Sequence, residues 1–140
     1  MKRRRFVGLA CGVAASLAGA GDFAAAFADA ARQRANVVIV QPSLPRRPAI
    51  ELSGKHRLPV ASPARAFADE GGLMSYSSVF KSLFYGAAVY VDKILKGADP
   101  AALPVQQPTH YELVVNLQAA RTLGLQIPQS ILFRADRVIE

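Results

Sequence analysis

Residues 36–42 read NVVIVQP, four consecutive apolar β-branched residues between polar neighbours. Val and Ile lose side-chain freedom in a helix and pack well on a pleated surface. An unbroken run of them predicts a strand covered on both faces, as in a parallel sheet. Parallel strands need long crossovers, so the flanking segments should be helices. The segment before it has helical spacing. DFAAAFADAARQRA (22–35) puts Phe23, Phe27, Ala30 and Ala31 on one stripe, with Asp22 as its cap.

The alternation continues along the chain. Pro42, Pro45 and Pro48 mark a loop, and Pro48 opens a short helix through His56. LPVAS (58–62) is a second strand. Ser62-Pro63 caps and opens the helical turn ARAFADE, which Gly71-Gly72 ends. LMSY (73–76) is a third strand. SSVFKSLFYGAAVYVDKILKG (77–97) is the strongest helix, capped by Ser77 or Ser78, with a broad apolar face that includes Phe80, Phe84, Val91 and Leu95. After a proline-punctuated connector, HYELVVNL (110–117) alternates as a strand. Asn116 caps LQAARTLG, Gly124 closes it, and IPQSILFRADRVIE reads as a final short helix opened by Pro128. The expected fold is α/β, a mostly parallel sheet with helices on both faces.

The chain has 140 residues, enough for one ordinary domain and short for two full lobes. The net charge of +7 suggests a nucleic-acid partner until it is placed. Lys2, Arg3, Arg4 and Arg5 supply four of the 17 basic residues, and 13 basic residues face 10 acidic ones after residue 20. No basic patch with interleaved aromatics remains, so no nucleic acid is expected. MKRRR, then the apolar FVGLACGVAASLAGA ending in Ala18-Gly19-Ala20, reads as a cleavable signal peptide at 1–20. Arg3-Arg4-Arg5-Phe6 also fits a loose twin-arginine core, so both export routes stay open. Either route implies a periplasmic location. Cys11, the only cysteine, falls inside the signal, so no disulfide or thiolate metal site is expected in the mature chain.

Reactive constellations are missing. His56 and His110 lie in different elements, with no second ligand at metal-binding spacing. Asp69-Glu70 is a carboxylate pair, but adjacent helical residues point apart, and a solvated helix end is the plainer reading. G-x-S-x-G, P-loop and G-x-G-x-x-G motifs do not occur. No catalytic residue, metal or cofactor is expected. What remains is a set of strand ends bearing small polar groups. Ser43 follows the first strand, Ser62 ends the second, and Ser75 and Tyr76 end the third. In a doubly wound sheet these ends share one edge. Hydroxyls and helix N-terminal N–H groups there could hold a carboxylate, and Tyr76 could stack on an apolar portion. The competing assignment makes the serines caps and Tyr76 packed core.

DFAAAFADAARQRANVVIVQP, KHRLPV, EGGLMSY, AAVYVDKILKGADPAALPVQQPTHYELVVNLQAARTLGL and IPQSILFRADRVIE carry a resemblance. From Asp22 onward the chain resembles the C-terminal part of the periplasmic substrate-binding proteins of ABC importers, in the branch with tryptophan-binding members. The resemblance implies a partial type I periplasmic-binding-protein-like fold at 21–140. Residues 22–70 resemble a second-lobe part, 71–77 a crossover and 78–140 a first-lobe part. It also implies a small organic solute such as an amino acid, and a membrane permease as partner. The chain departs from the family pattern at Ala61-Ser62, where an aromatic is usual, and at Ser77, where glycine is usual. The family's opening strands are absent, which predicts unpaired sheet edges and self-association. The expected function is a truncated, exported, non-enzymatic solute-binding component. The alternative is a non-transporting remnant or interaction module that keeps the fold segment without ligand capture.

Overall fold

The computed structural model describes Arg4–Arg5 and residues 23–140. The rest of the expected signal peptide and the expected cap Asp22 lie outside the described residues. A two-residue strand β1 (Arg4–Arg5) runs parallel to β6 (Leu125–Gln126) as a separate pair.

The main sheet has five strands in the order β2-β3-β4-β5-β7. They are β2 (Val38–Ile39), β3 (Val60–Ser62), β4 (Met74–Ser78), β5 (Tyr111–Asn116) and β7 (Arg137–Ile139). Only the β4–β5 pair is antiparallel; the other three pairs are parallel. The mostly parallel α/β sheet expected from the sequence is therefore present. The helices are α1 (Phe23–Arg32), α2 (Arg46–His56), α3 (Phe80–Leu95), α4 (Leu117–Thr122) and α5 (Gln129–Leu132). Among the described residues, no helix is long and apolar enough to cross a membrane.

The core forms where α1 and α2 meet the first strands. Phe23 and Phe27, one turn apart on α1, stack at 6.3 Å and pack with Val38, Val60, Ala49 and Phe67. Burial of such side chains supplies most of the driving force for folding. Strands from both sides of residue 78, β4 and β5 among them, share this one sheet.

Four local expectations need correction. The first strand is not covered on both faces, because β2 lies at the sheet edge beside β3 alone and Ile39 is 59% exposed. The segment at 64–70 forms only a 3-10 turn at Arg65–Phe67. The serines before α3 do not cap it, because β4 continues through Ser78 opposite Tyr111 and leaves Val79 at the cap. The last segment ends in a strand, since Arg137–Ile139 finds a parallel partner in Val114–Asn116. By contrast, Asn116 caps α4 as expected, accepting from the Ala119 N–H at 3.0 Å.

Helix α3 stands apart. None of its sixteen residues is buried. The connector at 100–110 folds back along one side, where the Tyr90 hydroxyl donates to the Pro104 carbonyl. Between them lies an open groove of about 800 Å³, lined by Leu83, Ala87, Ile94, Leu103 and Pro104 among others. The stripe of Phe80, Phe84, Val91 and Leu95 is left facing solvent.

Candidate functional site

β3 ends before β4 does. Ala61 and Ser62 sit beside Met74 and Ser75, and β4 then runs on through Tyr76, Ser77 and Ser78 with only β5 alongside. This overhang lies at the carboxyl ends of the parallel strands, the edge where open α/β sheets hold ligands. The 3-10 turn after β3 packs against it.

Alternate residues of β4 go to opposite faces. Ser75 and Ser77 are buried, whereas Tyr76 is exposed. On the Tyr76 side, Tyr111 of β5 is a diagonal neighbour. The two rings stack at 5.2 Å with planes 13° apart, and both remain about half exposed. This is an open aromatic platform, with the offset geometry that ring quadrupoles favour.

The four site residues expected from the sequence are brought together in part. Ser62 and Ser75 are side by side in the ladder. Ser62 donates to the Val40 carbonyl at 2.8 Å and accepts from the Ala64 N–H at 3.1 Å, so it ties β2 to β3 and shapes the following turn. Ser75 is fully buried and donates to the Arg65 carbonyl at 3.3 Å. Both hydroxyl donors are thus committed to backbone. Ser43 lies exposed in the turn after β2. Tyr76 projects from the face opposite Ser75.

Ser77 was passed over in the sequence as a helix cap. Among the described residues, its Oγ is the one buried side-chain polar atom with no hydrogen-bond partner. A hydroxyl left so costs about 1–3 kcal/mol. Across the ladder it faces Glu112, whose carboxylate takes the Arg65 guanidinium at 3.0 Å. No local sequence signal marks this trio, because Arg65, Ser77 and Glu112 meet only when β4 pairs with β5. The other carboxylates have structural partners. Asp69 pairs with Arg137 at 2.7 Å and Glu70 with Arg46 at 2.7 Å. His56 and His110 remain in separate elements.

The chain belongs to the ABC transporter substrate binding protein family, whose model matches residues 46–139. Solved structures agree. A conserved domain protein from Vibrio cholerae O1 biovar eltor is 26% identical with a TM-score of 0.73, covering 84% of this chain and 41% of that one. The ABC domain in complex with L-Trp from Streptococcus pneumonia is 24% identical with a TM-score of 0.72, covering 88% and 44%. A ligand-free, open substrate binding protein with adhesive properties from Clostridium difficile shares the fold at 16% identity and a TM-score of 0.62, covering 88% and 42%. The chain spans less than half the length of each of these solved proteins. No match is found among curated proteins.

Proposed function

We propose that the protein is the exported solute-binding component of an ABC importer and holds a small organic solute, such as an amino acid, without chemistry. The family match over residues 46–139 carries this reading. The L-Trp complex of the pneumococcal neighbour favours an amino acid as the solute class. Residues 1–20 direct the chain to the periplasm, where the loaded form meets a membrane permease. The solute sits at the overhang of β4. Tyr76, stacked on Tyr111, offers a face to an apolar or aromatic portion, Ser43 borders the edge, and Ser62 and Ser75, bonded to backbone on the opposite face, fix the strand ends that form it.

A second reading has its own support. The uncovered face of α3 favours an interaction module that keeps this fold without ligand capture. The short edge strands β2 and β7, each paired on one side only, add to self-association in that case.

Calorimetry of the mature chain with the twenty amino acids separates the two. Micromolar binding of any one supports capture, and absence of heat with all supports the module. Tyr76→Ala is expected to weaken binding about tenfold, the loss of roughly 1–1.5 kcal/mol of aromatic contact, with the fold retained. Unchanged affinity would remove Tyr76 from the site.

A further inference from the structure

Ser77 Oγ lies buried without a partner at the point where β4 outruns β3. Native proteins rarely leave such a group unsatisfied unless a ligand, ion or water completes it. Its surroundings specify which. Glu112, directly opposite on β5, shares its face of the sheet and is mostly buried, with a side chain 18% exposed. Arg65 pairs with Glu112 from the turn after β3, and its own side chain is 60% exposed. The Arg65 backbone is held in place, because its carbonyl accepts the Ser75 hydroxyl. The guanidinium can therefore swing while its anchor stays fixed, and an ion pair this open is held weakly.

We infer that Ser77, Glu112 and Arg65 form the polar recognition pocket for the ammonium and carboxylate groups of a free amino acid. The inference rests on the solute-binding reading above. The ligand ammonium donates to Glu112 and to Ser77 Oγ, giving the orphaned hydroxyl its partner. The ligand carboxylate takes the Arg65 guanidinium, which suits a planar, bidentate acceptor. A simple anion would meet the Glu112 carboxylate, and a simple cation would meet Arg65. A zwitterion satisfies both charges and replaces the internal ion pair one for one.

The test uses calorimetry on the full mature chain with L-tryptophan, tryptamine and indole-3-propionate, and with L-leucine, isoamylamine and 4-methylpentanoate. For whichever amino acid binds, both one-group analogues should bind at least 30-fold more weakly. Ser77→Ala should weaken the amino acid about tenfold while holding or raising the thermal midpoint, since it removes a buried unpaired hydroxyl. Glu112→Gln should weaken the amino acid and restore relative affinity for the carboxylate analogue. If an amino acid binds but the analogues bind equally, or Ser77→Ala and Glu112→Gln leave affinity unchanged, this pocket is wrong and the solute-binding reading stands. If none of the twenty amino acids binds, both fall.

Discussion

Arg46, the first residue of α2, grips Glu70 through two parallel hydrogen bonds, Nε to Oε2 at 2.8 Å and Nη2 to Oε1 at 2.7 Å. The pair joins the start of α2 to the turn before β4, across 24 positions of sequence. The hydrogen bonds from Arg46 hold the Glu70 carboxyl below its ordinary value of 4.5. A carboxylate with a depressed folded value contributes its stability above the unfolded value and loses it as pH falls through the folded one. Glu70→Gln should therefore lower the denaturation midpoint slightly at pH 7. The difference from the parent chain should close as pH falls below 4.5, in urea melts at several pH values.

Gly72 lies against Phe67. A Cβ there would come within 2.1 Å of the Phe67 ring and 2.8 Å of its carbonyl oxygen. Phe67 is fully buried, so the ring cannot turn aside into solvent. Gly72→Ala is expected to destabilise by about 1–3 kcal/mol or more. Thermal unfolding followed by circular dichroism reads this directly.

Asn116 works at both ends of its amide. Its Nδ2 donates to the buried Ala68 carbonyl at 2.9 Å, while Oδ1 caps α4. Asn116→Ala removes a cap and strands an interior carbonyl, a loss of about 2–4 kcal/mol. Asn116→Asp keeps the cap and loses the amide donor, so it should fall between the two in chemical denaturation.

Phe84 and Leu95 on α3 are 72% and 82% exposed. Neither is packed, so Phe84→Lys with Leu95→Lys should leave the unfolding free energy within about 0.5 kcal/mol of the parent. The same double variant should sediment as a smaller species at high concentration, if the apolar stripe drives self-association. An unchanged sedimentation profile would place association elsewhere.

The elements with strong internal periodicity were legible before any coordinates. The position of β2, the cap at Asn116 and the body of α3 follow from local residue pattern, whereas the exposure of Ile39 at the sheet edge and the start of α3 at Phe80 do not. β7 was not legible, because Arg137–Ile139 is a strand only by virtue of β5 beside it. The end of β4 was hidden for the same reason. Ser77 and Ser78 look like caps locally, and the ladder to Tyr111 and Glu112 recruits them into the sheet. The strand-end serines of the candidate site were legible as residues, and their bonding partners were not. Three serines at strand ends share one chemistry in sequence, but backbone carbonyls occupy Ser62 and Ser75 and leave Ser77 free.

β4 and β5 are adjacent and antiparallel, so everything from Val79 to His110 leaves and re-enters the sheet at one point, closed by the Val79 N–H on the His110 carbonyl at 3.0 Å. Topologically α3 and its connector are a handle on a hairpin. A handle can swing as a unit about its two roots while every ladder bond stays intact, so motion at that end requires no unfolding of the floor on which a solute would rest.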